Sequence, residues 1–253
     1  MTGTFATGER TVVVTGAAGG IGSKVCTRLA SDGYRIVAMD KKLTGLADIA
    51  ATLPGQGHAH HEIDISDRAA WHAWLADLAA LTGHVAGLVH LAAELRRASD
   101  IFSISEDDWD SQIDTNLKST FFLNRAVASQ MIANGNPGSI VNFASQGWLT
   151  GGLNGSLVYA ASKGGVVTLT RGLARTLAPH LIRVNVVAPG FVDTPMMRSG
   201  MSNSQLQSSI DMVPLGRMAA PEEIADVVAF LVGEESRYIT GATLNVTGGQ
   251  LMY

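Results

Sequence analysis

A single cysteine, Cys26, stands among the 253 residues, so no internal disulfide can form and a reducing compartment fits the chain. Lys and Arg never run beyond two in a row, and the net charge is -4. That removes the basic patch that nucleic acid or an anionic membrane would need. No apolar stretch is long enough to span a bilayer, and the opening MTGTFATGER lacks the apolar core of a signal peptide. These absences set the expectation of a cytoplasmic globular protein with no nucleic-acid or membrane partner and no metal. Cys26 falls on the first predicted helix, where a buried small apolar residue is the expectation rather than a nucleophile.

What is present is an alternation of short β-branched runs with longer helical stretches. The strands are predicted at Thr11–Val14, Arg35–Asp40, His60–Asp64, Gly87–Leu91, Ser139–Phe143, Arg183–Val187 and Thr243–Val246. Runs such as VVVT, IVNF and VNVV are continuously apolar rather than alternating, the pattern of parallel strands covered on both faces. Helices are predicted at Ile21–Asp32, Asp67–Leu81, Glu106–Ala133, Tyr159–Ala178 and Pro221–Gly233. Strand and helix in alternation give an α/β fold, a Rossmann-type doubly wound parallel sheet of about seven strands with helices on both faces. No repeat or linker divides the chain, so residues 1–253 are read as one domain. A Met- and Ser-rich segment near 192–218 is read as a lid over the sheet's edge.

The first strand runs into Gly16-Ala17-Ala18-Gly19-Gly20-Ile21-Gly22 and then a helix. Glycine lets the backbone turn tightly and approach a pyrophosphate, and the helix N-terminus offers free N–H groups and a positive dipole end. The second strand ends at Asp40, roughly 20 residues further on, where a carboxylate accepts from the adenosine ribose hydroxyls and repels a 2′-phosphate. The expected cofactor is therefore NAD, with NADP disfavoured; Lys41-Lys42 argues the other way. Further along, Tyr159 and Lys163 lie four apart and share a helix face. A unit charge about 4 Å from a phenol contributes roughly 4 kcal/mol at a dielectric near 20. At 1.36 kcal/mol per unit, that brings a tyrosine of pKa ~10 down by about three units. Ser145, just past a predicted strand end, faces the ligand crevice of such a sheet.

Together these residues resemble the short-chain dehydrogenase/reductase family over almost the whole chain. TGAAGGIG resembles its cofactor turn, and Asp64-Ile65 resembles the pair that holds the adenine. Asn116 in DTNLKSTFF resembles the helix asparagine that completes a catalytic group with Ser145, Tyr159 and Lys163. NVVAPG, with Pro189, Gly190, Val192 and Thr194, resembles the segment that holds the nicotinamide, and Ala92 sits where the family's backbone meets the cofactor. The resemblance implies that Tyr159 exchanges the proton with the substrate oxygen while Ser145 orients that oxygen. Lys163 lowers the tyrosine's pKa and binds the nicotinamide ribose, and Asn116 holds a relaying water.

Two departures stand out. The family's Asn-Asn-Ala-Gly is His90-Leu91-Ala92-Ala93 here, with His90 expected to pack at the strand end, and its usual Asp before the final Gly-Gly is Thr247. Glu94, Gln146, Trp148, Leu153, Phe191 and Met197 are the expected substrate contacts, mostly apolar, with Glu94 or Gln146 bonding a second polar group. Arg96 and Arg97 are read either as a substrate-carboxylate clamp or as a solvated loop with local ion pairs. The expected reaction is NAD-dependent interconversion of a secondary alcohol and a ketone, on a moderately hydrophobic substrate. Reduction of a carbon–carbon double bond fits less well, because family members doing so space Tyr and Lys further apart. The alternatives are a cofactor-retaining epimerase or dehydratase and a catalytically silent NAD-binding regulatory protein. Gly164, Gly165 and Gly172 permit close helix approach, and the family's four-helix pairing implies a homotetramer.

Overall fold

The computed structural model describes residues 10–41, 45–67, 69–70, 73–74, 84–199 and 201–252. Among them, seven strands form one sheet: β1 Arg10–Thr15, β2 Arg35–Asp40, β3 Ala59–Glu62, β4 His84–His90, β5 Gly138–Phe143, β6 Ile182–Pro189 and β7 Thr243–Val246. Their order is β3-β2-β1-β4-β5-β6-β7, and every pairing is parallel. The doubly wound sheet expected from the sequence is the one observed. Five strands differ from prediction at their ends, β1 by a single residue at each end and β5 by a single residue at its start. β3 stops before Asp64, β4 begins earlier, and β6 runs on to Pro189.

Alternation along each strand divides the core between two faces. Val12 and Val14 of β1 pack with Val141 and Ile36 in one fully buried cluster, against α1 (Gly20–Ser31). Val13 points the other way, into a cluster with Leu88, Ile140, Val127 and Met131. Each such side chain contributes roughly 1.5–3 kcal/mol by leaving water. Cys26 is buried in the first cluster, as expected, and burial pushes its thiol up to about 12.

The short helix α2 (Leu46–Thr52) was not foreseen, and most of the predicted helix Asp67–Leu81 lies outside the described residues. The long helix predicted over Glu106–Ala133 is interrupted. α3 (Glu106–Ile113) passes through a π turn at Asp114–Lys118 into α4 (Ser119–Ala133). A short α5 (Gly147–Thr150) precedes α6 (Leu157–Leu177). The Met- and Ser-rich segment carries two helices, α7 (Pro195–Arg198) and α8 (Asn203–Asp211), before α9 (Pro221–Val232), which packs on α1. The α9 C-terminus is held by Arg183 of β6, whose guanidinium donates to the carbonyls of Leu231 at 2.9 Å and Gly233 at 3.1 Å.

Candidate active site

In this order the chain reverses direction between β1 and β4, and the crevice at that point, beyond the strand C-termini, is where open parallel sheets bind ligands. A cleft of about 730 Å³ opens there. At one end lies the glycine turn. Gly16 has a φ of +68°, and a Cβ on it would sit 2.9 Å from the backbone nitrogen of Ala92. A Cβ on Gly22 would meet the Gly16 carbonyl oxygen at 2.1 Å, so α1 can start this close to the turn only without side chains. No side chain caps α1 and no acid occupies its first turn. Its N–H groups therefore face the cleft beside Gly19, Gly20 and Ile21, as a pyrophosphate requires. Asp40 closes that end, its Oδ2 accepting from the Ala18 N–H at 3.0 Å, and Asp64 and Ile65 line the cleft beside it. Lys41 lines the cleft as well, while Lys42 lies outside the described residues. These residues fit a dinucleotide.

At the other end, Tyr159 and Ser145 line the cleft together, and the Ser145 Oγ accepts from the Gly147 N–H at 3.2 Å. Lys163 reaches past the tyrosine ring, its Nζ 5.5 Å from the ring centroid, and donates to the Phe143 carbonyl oxygen at 2.8 Å. Burial pushes the Tyr159 phenol up to about 12, against the Ser145 hydrogen bond and the charge of Arg97. It pushes the Lys163 ammonium down to about 7. Burial thus opposes the Lys163 charge at both groups. The Coulomb attraction reckoned from the sequence omits desolvation, and in this cleft desolvation of both groups is larger. Pro189, Gly190, Val192 and Thr194 complete the wall between the two ends.

Asn116 lies behind the site. It sits in the π turn, buried and outside the cleft lining. Its Oδ1 accepts from the Glu94 N–H at 2.7 Å, and its Nδ2 donates to the Glu94 carbonyl at 2.9 Å and to Ser162 Oγ at 3.0 Å. Both amide hydrogens are taken, so the side chain braces the loop after β4 against α6. Thr115, which sequence reading passed over, is the π-turn residue that lines the cleft. No signal in DTNLK marks it, because the segment is helical on either side.

His90 forms the other brace. The Ala92 N–H donates to Thr15 Oγ1 at 3.2 Å, which leaves the Thr15 hydroxyl to donate to His90 Nδ1 at 2.9 Å. The imidazole proton then belongs on Nε2, 3.4 Å from Ser119 Oγ, and Ser119 in turn donates to the Thr115 carbonyl. Burial, with the Lys163 charge, pushes His90 down to about 3. A neutral histidine thus ties the glycine turn to the π turn, the strand-end packing role expected of it.

Of the anticipated substrate residues, Glu94, Gln146, Leu153, Phe191 and Met197 line the cleft. Trp148 does not. It packs against the buried core residues Ala144, Val167, Val186 and Ala188. Gln146 is buried, and its Oε1 meets no hydrogen-bond donor among the described residues. Partial burial pushes the Glu94 carboxyl up, but hydrogen bonds from Ser111 and Arg96 and the charges of Arg96 and Lys41 outweigh it and hold the group ionised. Arg96 also bridges to Asp108 at 2.9 Å.

A doubly wound parallel sheet, a glycine turn and a serine–tyrosine pair in one cleft define a dehydrogenase-type α/β protein, and the chain belongs to the short-chain dehydrogenase/reductase family. The family model described as Enoyl-(Acyl carrier protein) reductase matches residues 16–250. The chain is 38% identical over 249 residues to (3R)-3-hydroxyacyl-CoA dehydrogenase of Homo sapiens, covering 95% of both chains. It is 36% identical over 240 residues to 3-oxoacyl-[acyl-carrier-protein] reductase FabG of Thermotoga maritima, covering 94% of this chain and 96% of that one. Among solved structures, a putative 2-deoxy-d-gluconate 3-dehydrogenase from Agrobacterium Tumefaciens with bound NADP superposes with a TM-score of 0.87 at 33% identity, covering 97% of each chain. The chain is an oxidoreductase of alcohol and carbonyl groups. Among the described residues, no helix is long and apolar enough to cross a membrane.

Proposed function

We propose that the protein interconverts a secondary alcohol and a ketone, with NAD as hydride partner and Tyr159 as the acid and base. The observation that carries this reading is that Ser145, Tyr159 and Lys163 line one end of a cleft whose other end is a glycine cradle. When bound, the nicotinamide supplies the carbon that takes or gives the hydride. Ser145, steadied by the Gly147 N–H, holds the substrate oxygen against the Tyr159 hydroxyl. The tyrosine, a neutral phenol in the cleft, gives its proton to that oxygen in reduction and takes one in oxidation. Lys163, braced on Phe143, presents its charge beneath the ring and to the nicotinamide ribose. Asn116 and His90 act through others, fixing α6 and the glycine turn relative to the loop after β4.

NAD is preferred to NADP because the Asp40 carboxylate, tethered to the Ala18 N–H, sets negative charge where a 2′-phosphate would lie. Lys41 is the opposing charge at that end. A homotetramer is supported by open space beyond two α6 glycines. A Cβ on Gly172 meets nothing within 4 Å and one on Gly164 only the Trp148 carbonyl at 3.9 Å, whereas Gly165 is already filled by Leu117. The lid over residues 192–218 closes over the substrate with Met196, Met197 and Met201 on its inner side.

The test is NADH or NADPH fluorescence with purified protein, each oxidised cofactor, and a panel of secondary alcohols, hydroxysteroids, polyols and hydroxy acids. Turnover favouring NAD supports the reading. Tight NAD binding with no reduced cofactor formed from any of them contradicts it.

A further inference from the structure

Arg96 and Arg97 are neighbours in sequence with opposite surroundings. Arg96 is consumed, its guanidinium meeting Glu94 at 2.7 Å, Asp108 at 2.9 Å and Ser111 Oγ at 3.0 Å. Arg97 turns into the cleft, half-buried. Among the described residues its only hydrogen bonds run from Nη1 to the carbonyls of Leu153 at 3.4 Å and Asn154 at 3.3 Å, both long for a charged donor. No carboxylate lies within ion-pair distance of it among the described residues. A guanidinium has five N–H donors, and here Nε and Nη2 make no hydrogen bond among the described residues.

The arm is held in place by its base. The Ala98 N–H donates to the Gly155 carbonyl at 3.0 Å, and a Cβ on Gly155, at a φ of +77°, would stand 2.1 Å from the Ala98 carbonyl oxygen. Only glycine permits this approach, and it is what carries the Leu153 and Asn154 carbonyls up to the guanidinium. The charge is also felt at the reacting end of the cleft, where it lowers the Tyr159 phenol against burial. Glu94 at this end is neutralised by Arg96, so Arg97 leaves one positive charge uncompensated. Leu153, Phe191, Met197 and Met201 provide apolar wall around it.

We propose that Arg97 is a substrate clamp, and that the alcohol or ketone this enzyme takes carries a carboxylate, making it a hydroxy acid or oxo acid. The inference rests on the oxidoreductase reading above and adds the substrate's charge to it. Arg97 binds the carboxylate in the forked geometry that a guanidinium favours, and the apolar wall covers the carbons between the acid and the carbon that exchanges hydride.

Two readouts test it. The first compares kcat/KM for aliphatic 2-, 3- and 4-hydroxy carboxylates with that for their methyl esters, in wild type, Arg97→Lys and Arg97→Gln. The acid-to-ester ratio cancels any effect the arginine has on Tyr159 common to both substrates. It is expected to fall roughly 10- to 100-fold in Arg97→Gln, mainly through KM for the acid, and less in Arg97→Lys. A ratio unchanged in Arg97→Gln, or a wild type that turns over esters as well as acids, overturns the clamp and leaves the oxidoreductase reading standing. The second readout needs no turnover: the rise in Tm that each hydroxy carboxylate gives to NAD-saturated protein. Stabilisation by the acids that Arg97→Gln abolishes supports the clamp even if no hydride is transferred, and that combination would sink the oxidoreductase reading alone. Acid-induced shifts that are absent, or equal in wild type and Arg97→Gln, overturn the clamp.

Discussion

Lys163, in the middle of α6, donates to the carbonyl oxygen of Phe143, the last residue of β5, across 2.8 Å. The contact anchors the ammonium over the Tyr159 ring, 5.5 Å from its centroid. It also holds a cation in a place that burial disfavours, which gives the first prediction its sign.

The folded-state pKa of Lys163, about 7, lies below its ordinary 10.5. Between those values the unfolded chain binds a proton that the folded chain does not. This group therefore makes wild-type stability rise with pH across that window. Lys163→Met is expected to lose activity and to be at least as stable as wild type at pH 7. Its Tm advantage should shrink steadily toward pH 9.5, as read by calorimetry across that range. An advantage that stays flat or grows would contradict a lysine held by burial.

Tyr159 is expected to remain a phenol through the neutral range when the cleft holds no ligand, since burial pushes it up to about 12. The wild-type minus Tyr159→Phe difference absorbance at 295 nm should stay flat below about pH 10. A phenolate signal rising between pH 7 and 9 in the cofactor-free protein would show that Lys163 activates the tyrosine unaided.

His90 is pushed down to about 3 from an ordinary value of 6.5. Between those values the unfolded state carries the extra proton, so wild-type stability falls as pH drops from 6.5 towards 3. His90→Asn cannot titrate there. Urea unfolding is expected to show the wild type losing up to about 1.4 kcal/mol more per pH unit than the variant over that interval. Parallel acid profiles would mean that His90 is not buried neutral.

Asp40→Asn keeps an acceptor for the Ala18 N–H and removes the charge. The ratio of kcat/KM for NAD to that for NADP should drop at least tenfold, with Lys41→Ala shifting it the opposite way. No change in either ratio would remove Asp40 as the discriminator.

The strands were legible because burial on both faces of a parallel sheet writes unbroken apolar runs, and Val12, Val13 and Val14 satisfy both clusters at once. The glycine turn was legible because sterics leave no alternative there, as the 2.1 Å approach at Gly22 shows. Direction was harder to read than position. Gln146 and Trp148 both follow Ser145 closely, but a helical turn rotates about 200° over two residues, so one faces the cleft and the other the core. Arg96 and Arg97 both line the cleft and differ in their partners, since the carboxylates of Glu94 and Asp108 reach only Arg96. The π turn at Asp114–Lys118 left no trace, since its residues suit an α-helix equally well. Asn116 was found by resemblance, while its hydrogen-bond partners come from chain segments that sequence spacing does not connect.

The most direct test of the account is NADH formation by wild type and Tyr159→Phe on the best substrate found, alongside NADH binding to both by fluorescence. The account predicts a fall in kcat of about 10²–10⁴-fold with cofactor affinity retained, the range expected for loss of a general acid–base. A variant that binds NADH and turns over within a few-fold of wild type would contradict a tyrosine-driven oxidoreductase.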